Sequence, residues 1–192
     1  MMRERVIDQA SFIPGQTYPI ELMFLYNKVA HSRIHIEVGT YCGRSLFVAA
    51  GAMKKGTIYI VDYPEPGGWG YQPAAWWNRS ILDLTFKAIS ENFPGITLVP
   101  IWMDSISASH QLAQMGVSAD SVFIDANHHE DFISQEIIAY TNLLREDGLL
   151  MGHDYCSAFM GVMNAVNTLV PDFRVEPNTR IWSARVNRKA QL

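Results

Sequence analysis

Five short apolar runs, each followed by a segment with apolar residues at helical spacing, constrain the fold of this chain more than any other feature. The runs are rich in Ile and Val and cover residues 33–38, 57–62, 96–102, 119–125 and 148–153. Runs this short and apolar are typical of buried parallel strands. The helical segments fall near residues 43–54, 80–92, 105–115, 129–144 and 158–170. This alternation predicts an α/β fold with a doubly wound, mostly parallel sheet.

Two further segments near the end of the chain predict a different kind of strand pairing. Residues 173–176 and 180–186 are separated by only three residues, which are too few for a crossover between parallel strands. They predict a C-terminal antiparallel hairpin, which makes the sheet seven-stranded and Rossmann-like. Elsewhere, Ser80 with Asp83 resembles a capping box at the start of the 80–92 helix.

Length and charge limit the domain number and the kinds of partner. With 192 residues and 48% hydrophobic content, the chain predicts a single domain over 1–192, in which 1–32 form an N-terminal segment and a packing helix. The net charge is −4, and the basic residues are scattered, without the stripe that nucleic-acid binding needs. No run approaches the apolar length of a membrane span or a signal peptide. Nucleic acid and membranes are therefore not expected partners, and a cytoplasmic location is expected.

The turn after the first predicted strand has features of a nucleotide-type site. Its sequence is EVGTYCGRS, in which Gly39 allows a tight turn and Gly43 allows close approach to the next helix. Asp62 ends the second run, where a carboxylate commonly binds the hydroxyls of a ribose. The bulky Tyr41 argues against a pyrophosphate loop. These residues indicate an adenosine-containing ligand without a pyrophosphate, the alternative being an ordinary glycine turn.

The stretch 63–79 is irregular and rich in Trp, Gly and Pro. It predicts a loop on the functional rim, whose glycines would let a lid move. Flat aromatic faces suit stacking on sugars or aromatic acceptors. The candidate substrate residues are Trp69, Trp76 and Trp77, with Tyr71, Arg79 and Tyr155 near the same rim. Alternatively, these aromatic residues fill a core or a subunit contact, and a homodimer is one expectation that follows.

Three segments together resemble a known family. EVGTYCGRS, VFIDANHHEDF and LREDGLLMGHDY are similar to motifs of class I S-adenosylmethionine-dependent methyltransferases, within the group of macrocin-type O-methyltransferases and cephalosporin-hydroxylase-like proteins. The resemblance covers residues 33–186. It implies an S-adenosylmethionine cofactor and methyl transfer to a hydroxyl of a small molecule, a sugar or another diol.

The resemblance also implies roles for residues of the cofactor site. Those that match the loop around the methionine part of the cofactor are Glu37, Gly39, Thr40, Tyr41, Gly43 and Ser45. Asp62 matches the acidic residue on the ribose, and Asp104 with Ser105 matches the position near the adenine. The alternative for Asp104 and Ser105 is a simple N-cap of the following helix.

The ends of the fourth and fifth runs carry the candidate catalytic and metal residues. Neighbouring strands lie about 4.8 Å apart, so Asp125 and Asp154 can face one cation, with His153 as a third ligand. Two carboxylates favour magnesium, manganese or calcium, and nitrogen ligands from His153 and His128 would shift the preference towards manganese or iron. Magnesium or manganese is the expected metal. The resemblance implies that His128 is the general base beside Asp125. The macrocin-type pattern has an acidic residue where His153 stands, which weakens the case for magnesium.

Three functions remain open from the sequence. The first is a metal-assisted O-methyltransferase, in which a hydroxyl is activated by His128 and the cation. The second is a catalytically silent cofactor-binding protein, which retains the motif residues but has lost the acceptor pocket. For the metal site itself, the alternative is that Asp125 only touches the cofactor and residues 127–130 form a solvated helix start. The third is a nucleotide-linked oxidoreductase or hydroxylase-like protein.

Overall fold

A computed structural model describes residues 2–63 and 75–186, with residues 75–78 described by their backbone alone. The helices are α1 Met2–Ser11, α2 Pro19–Val29, α3 Arg44–Met53, α4 Ala75–Asn92, α5 Ser105–Gln114, α6 Glu130–Thr141 and α7 Met160–Leu169. The strands are β1 Ile34–Val38, β2 Gly56–Asp62, β3 Ile96–Trp102, β4 Ala119–Ile124, β5 Leu144–Gly152, β6 Arg174–Val175 and β7 Trp182–Arg185.

The strands form one seven-stranded sheet in the order β3-β2-β1-β4-β5-β7-β6. Strands β1 to β5 pair in parallel, and β7 pairs antiparallel with both β5 and β6. The predicted fold class, including the C-terminal hairpin, is confirmed. The chain leaves β1 and β4 towards opposite edges of the sheet, and ligands bind at such a switch point.

The strand register brings the ends of the four central strands to one edge. Val38 lies opposite both Val61 and Ile124, and Ile124 lies opposite Gly152. The residues that follow these positions therefore meet at the carboxyl edge of the sheet. This edge is where the predicted site residues of β1, β2, β4 and β5 lie.

Alternating side chains of the sheet supply two separate cores. Phe123 points into a core with helices α1 to α4, whereas its neighbours Val122 and Ile124 point into a core with α5 to α7. This alternation is the period-two pattern of a strand that is covered on both faces. Helix α2 therefore packs on the first face, with Pro19 in its first turn, where the fixed φ of proline suits a helix start.

Several boundaries differ from those predicted. Helix α1 was not predicted, although it buries Val6 and Ile7. Helix α4 begins at Ala75, so residues 75–79 are helical rather than part of a loop. The capping box at Ser80 is wrong, because that residue lies inside the helix and the Asp83 carboxylate pairs with Arg79 Nε at 3.2 Å.

The last parallel strand is also longer than predicted. β5 begins at Leu144, and a register irregularity follows its first pairing with Ala119. Asp147 in this stretch has a φ of 58°. The first part of β5 is polar and contains one residue in the left-handed region, so it lacks the apolar pattern of a buried strand. For this reason the sequence predicted a later start for this strand.

Part of the predicted substrate loop lies outside the described residues. This applies to Trp69 and Tyr71, whereas Trp76 and Trp77 lie on the first turns of α4. Among the helices of the described ranges 2–63 and 75–186, none has the length and apolar character to cross a membrane.

Candidate active site

The β1–α3 loop brings the ends of β1 and β4 into close contact. Gly39 has a φ of 82° and donates its N–H to the carbonyl of Val61 at 2.8 Å. A Cβ at Gly39 would collide with the carbonyl oxygen of Asp125. Gly43, with a φ of 86°, ends the loop and precedes α3. Both glycines therefore adopt the left-handed backbone conformation that glycine allows, in agreement with the prediction of glycine-dependent turns at these positions.

Glu37 lies beneath this loop and holds it. Its Oε1 accepts hydrogen bonds from Thr40 Oγ1 at 3.0 Å and Ser45 Oγ at 2.9 Å. The side chain is fully buried, and its Oε2 has no hydrogen-bond partner within the described part of the chain. Burial raises the pKa of Glu37 to about 8, the two hydroxyls oppose this, and the nearby carboxylates of Asp125 and Asp62 add to it. Glu37 therefore favours the protonated form.

This pKa predicts a pH-dependent stability. At pH values between 4.5, the ordinary pKa of a glutamate, and about 8, the folded chain holds a proton on Glu37 that the unfolded chain has lost. The free energy of unfolding therefore falls as the pH rises through this range, up to about 8. Glu37→Gln mimics the protonated side chain. We expect the variant to lose less unfolding free energy between pH 5 and pH 8 than the unsubstituted protein, by on the order of a few kcal/mol.

Urea unfolding at several pH values measures this effect. The buried Glu136, whose pKa is also raised, is present in both proteins, so the difference between them isolates Glu37. Parallel curves of unfolding free energy against pH would contradict a buried, protonated Glu37.

Asp62 anchors the backbone of the same loop. Its Oδ2 accepts the N–H groups of Thr40 at 2.9 Å and Tyr41 at 3.1 Å, and its Oδ1 accepts that of Tyr63 at 2.7 Å. A carboxylate has about four acceptor positions, so capacity remains for a ligand hydroxyl. Tyr41 has a φ of 49° and an exposed side chain. The predicted ribose contact of Asp62 and the cofactor contacts of the loop stay predictions.

At the end of β3, Asp104 is the N-cap of α5, as the alternative interpretation of this residue predicted. Its Oδ1 accepts the N–H of Ser107 at 2.9 Å and caps α5. Ser105 Oγ donates to Glu136 Oε1 at 2.6 Å, and the hydroxyl of Tyr140 donates to the Ser105 carbonyl at 2.7 Å. Burial raises the pKa of Glu136 to about 7, although the Ser105 hydroxyl opposes the shift. The Ser105 side chain is thus bonded to α6, and an adenine contact here stays a prediction.

His128 and Asp154 form a pair across the ends of β4 and β5. The two residues approach through His128 Nε2 and Asp154 Oδ2 at 2.8 Å. The imidazole stacks on Phe159 with a centroid distance of 4.3 Å. The His128 side chain is 32% exposed and that of Asp154 only 7%. A ligand can therefore reach the histidine while its carboxylate partner stays buried.

His153 is enclosed by carboxylates. Its Nε2 lies 3.2 Å from Glu21 Oε2, and its Nδ1 lies 3.3 Å from Asp154 Oδ1 and 3.6 Å from Asp125 Oδ1. Burial opposes the charged form, but the three carboxylates outweigh it and raise the pKa of His153 to about 11. Burial likewise opposes the ionised form of Asp154, but contacts with His128 and His153 hold the pKa of Asp154 below its usual range.

Arg180 and Glu21 complete the group, and the sequence did not indicate either. Arg180 Nη1 lies 3.0 Å from Asp154 Oδ1, and its Nε lies 3.6 Å from Glu21 Oε1. Glu21 Oε1 also accepts the backbone N–H of Arg180 at 2.8 Å, across 159 residues of sequence. We call the following six residues the charged centre: Glu21, Asp125, His128, His153, Asp154 and Arg180.

A weak signal for Glu21 was present. It stands at the third position of α2, where its Oε2 accepts the N–H of Tyr18 at 2.8 Å, as in a capping box. Burial raises the pKa of Glu21, but the contacts with His153 and with the N–H groups of Tyr18 and Arg180 prevail and lower it to about 2. The capping-box pattern predicts the hydrogen bond between Glu21 and the N–H of Tyr18, but it does not indicate that Glu21 is buried beside His153.

The predicted metal set is only partly assembled. One donor atom from each of Asp125, His128 and Asp154 lies within 4.8 Å of the others, a spacing that a cation could bridge. His153 is not in this group, although its Nδ1 lies 3.6 Å from Asp125 Oδ1 and 3.3 Å from Asp154 Oδ1. Asp154 Oδ2 is paired with His128, and its Oδ1 faces His153 and Arg180. With both oxygens of one carboxylate engaged, the donor set does not fit a resident magnesium or manganese ion.

The substrate candidates that lie within the described residues, Tyr155 and Arg79, contact other side chains of the protein. The hydroxyl of Tyr155 donates to Asn167 Oδ1 at 2.9 Å, and its ring lies 5.2 Å from that of Phe173. The guanidinium of Arg79 lies 4.2 Å above the ring of Trp102. Substrate contacts by these residues stay predictions.

The chain was compared with known families and structures. The methyltransferase domain family matches residues 36–155, from β1 to the residue after Asp154. Curated protein sequences yielded no match.

Solved structures share the fold at low sequence identity. The O-methyltransferase from Bacillus cereus in complex with SAH is 13% identical, with a TM-score of 0.67 over 96% of this chain and 90% of that one. Apo CalS11, a TDP-rhamnose 3'-O-methyltransferase, is 15% identical, with a TM-score of 0.66 over 96% and 92%. The SAH-bound methyltransferase PaMTH1 from Podospora anserina is 11% identical, with a TM-score of 0.64 over 95% and 86%.

The family match spans the segments in which the sequence resemblance lay. It contains the loop held by Glu37 and Asp62 and the catalytic candidates at the ends of β4 and β5. The fold agrees with that of these solved structures over nearly the whole chain. The chain belongs to the methyltransferase domain family and is an S-adenosylmethionine-dependent methyltransferase.

Proposed function

We propose that this protein transfers the methyl group of S-adenosylmethionine to a hydroxyl oxygen of a small molecule, with His128 as the general base. The observation that carries the proposal is the His128–Asp154 pair, 2.8 Å apart at the ends of β4 and β5. The pair lies at the carboxyl edge of the sheet, beside the loop that the family match includes. A partly exposed imidazole backed by a buried carboxylate is the usual arrangement of a general base.

The reaction requires one proton transfer and one displacement. The acceptor hydroxyl gives its proton to His128, and the oxygen attacks the sulfonium methyl carbon as the carbon–sulfur bond breaks. The products are a methyl ether and S-adenosylhomocysteine, with the proton on the imidazole. The carboxylate of Asp154 stabilises the imidazolium that forms, because it lies at hydrogen-bond distance. The remaining task of the protein is to align oxygen, carbon and sulfur.

The acceptor class is supported by two observations. CalS11, whose structure shares this fold, acts on TDP-rhamnose, which is a sugar nucleotide. The segment 63–79, rich in Trp, suits stacking on a sugar ring or an aromatic acceptor. We therefore propose a sugar or another diol as acceptor, and methyl transfer from labelled S-adenosylmethionine to a panel of sugars, diols and phenols tests it. No transfer to any acceptor by a protein that binds the cofactor would favour the catalytically silent alternative.

Divalent-metal assistance is the alternative form of this proposal. The spacing of Asp125, His128 and Asp154 supports it, and the cationic neighbours of Asp154 oppose it. Activity that survives a chelator supports the metal-free form. Activity that is lost in chelator and restored by magnesium or manganese supports the metal-assisted form.

Cofactor affinity gives a further prediction. Asp62→Ala removes the carboxylate proposed for the ribose and the acceptor for the N–H groups of Thr40 and Tyr41. Because hydrogen bonds to a charged group contribute about 1.5–3 kcal/mol each, we expect affinity for S-adenosylmethionine to fall by about 10- to 100-fold. Calorimetric titration measures it, with Asp8→Ala on the exposed face of α1 as the matched control.

The same titration separates the rival ligand classes. Equal affinity of the Asp62→Ala variant and the unsubstituted protein would contradict the ribose contact. Binding of NAD in place of S-adenosylmethionine would restore the oxidoreductase alternative. The expected lack of nucleic-acid binding, the cytoplasmic location and the homodimer stay predictions from the sequence.

A further inference from the structure

We infer that the charged centre binds no divalent cation, because basic side chains already engage both oxygens of Asp154. Glu21 is the positioning residue for two of them, His153 and Arg180. This deepens the proposed function and rests on it for the catalytic role of the site. Metal binding, however, is measured without methyl transfer, so the two proposals can fail separately.

His153 is buried among three carboxylates. Its Nε2 lies 3.2 Å from the carboxylate of Glu21, and its Nδ1 lies 3.3 and 3.6 Å from those of Asp154 and Asp125. The side chain is 2% exposed. A cation that bound both aspartates would therefore have to displace the imidazole.

Arg180 contacts one of these carboxylates, that of Asp154. Its Nη1 lies 3.0 Å from Asp154 Oδ1, which is also the oxygen that faces His153. An arginine keeps its charge in any protein environment. The other oxygen of Asp154 is paired with His128 at 2.8 Å. A metal would therefore have to displace a cation or a hydrogen bond before it could coordinate Asp154.

Glu21 fixes the position of both basic side chains. Its two oxygens lie 3.2 Å from His153 Nε2 and 3.6 Å from Arg180 Nε, and one of them also accepts the backbone N–H of Arg180 at 2.8 Å. The side chain is 1% exposed and comes from α2, outside the strands that carry the other residues. Glu21 therefore connects helix α2 to the loop before β7.

The contacts of the two aspartates oppose a divalent cation. Both oxygens of Asp154 are engaged, and Oδ1 of Asp125 lies 3.6 Å from His153. Hard divalent cations are held chiefly by uncompensated carboxylate oxygens. Replacing His153 with an acidic residue would remove the imidazole and add a carboxylate ligand, so metal binding is expected to depend on this one residue.

Manganese titration of the purified full chain tests the inference. We expect no saturable binding by the unsubstituted protein, with any Kd weaker than about 1 mM, and activity within about twofold after chelator treatment. His153→Asp is expected to bind manganese at least about tenfold more tightly and to gain thermal stability from it. His31→Asp, at an exposed position before β1, is the control for the same substitution outside the charged centre.

Saturable manganese binding by the unsubstituted protein that is lost in Asp125→Asn would overturn the inference. Equal manganese affinity in His153→Asp and His31→Asp would also overturn it. Where His153→Asp fails to fold without metal, refolding on addition of manganese supports the inference. Where it fails to fold even with manganese, the titration of the unsubstituted protein decides between the outcomes.

Discussion

Replacing His128 with Asn is expected to lower the rate of methyl transfer by about 10²- to 10⁴-fold, because the amide cannot take the proton of the acceptor hydroxyl. The affinity for S-adenosylmethionine is expected to change little. The reason lies in the contacts: His128 is bonded to Asp154 and stacked on Phe159, whereas the cofactor loop is held separately by Glu37 and Asp62. The single-turnover rate with labelled cofactor, compared with the calorimetric Kd, separates the two effects.

The matched control is His110→Asn on the exposed face of α5. This variant makes the same chemical change outside the charged centre and is expected to keep full activity. An unchanged single-turnover rate in His128→Asn would exclude it as the base. An equal loss of rate and of cofactor affinity would mean that the substitution disturbs binding rather than proton transfer.

The second large effect concerns stability. Glu21→Ala is expected to lower the free energy of unfolding by about 3–5 kcal/mol, because it leaves His153 and Arg180 without their shared carboxylate. Removing one partner of a buried ion pair costs far more than the pair itself contributes. For a domain of this size the loss corresponds to a fall in Tm of about 6–20 °C.

Chemical unfolding of three variants measures this cost. Glu21→Gln keeps an acceptor oxygen for only one of the two N–H groups, of Tyr18 or of Arg180, and loses the charge, so an intermediate loss is expected. Glu91→Ala removes an exposed carboxylate 3.9 Å from Lys87 and should change stability by less than about 0.5 kcal/mol. A Glu21→Ala variant as stable as Glu91→Ala would show that the charged centre is solvated and unstrained.

These two experiments probe different parts of one group. The His128 side chain is partly exposed, whereas those of Glu21 and His153 are buried. Asp154 connects them, since one oxygen lies 2.8 Å from His128 and the other 3.3 Å from His153. The buried ions therefore hold in place the carboxylate on which the proposed base depends.

Local sequence patterns predicted the residues that form turns and strand ends. Gly39 and Gly43 occupy left-handed conformations in the loop after β1, as their spacing indicated. Asp62, Asp125 and Asp154 follow strands at the carboxyl edge of the sheet. Such positions are readable because strand ends and glycine turns depend on a few neighbouring residues.

Contacts between residues that are far apart in the sequence could not be predicted from local patterns. The sequence predicted His153 as a metal ligand and did not indicate Arg180, yet the structure places both on the same oxygen of Asp154. It predicted an adenine contact for Ser105, whose hydroxyl is bonded to Glu136 on another helix. A lone acidic residue within the apolar face of α6 was the available signal for that contact.

The sequence by itself determined the alternation of strands and helices, the glycine loop and the carboxylates at the strand ends, because each of these follows from residues close together in the chain. Only the tertiary structure decided the charges and partners in the site. Glu21 and Arg180 are 159 residues apart, and no local pattern encodes their meeting. Tertiary surroundings also shift the pKa values, since the carboxylates around His153 raise its pKa against the effect of burial, whereas burial itself raises the pKa of Glu37.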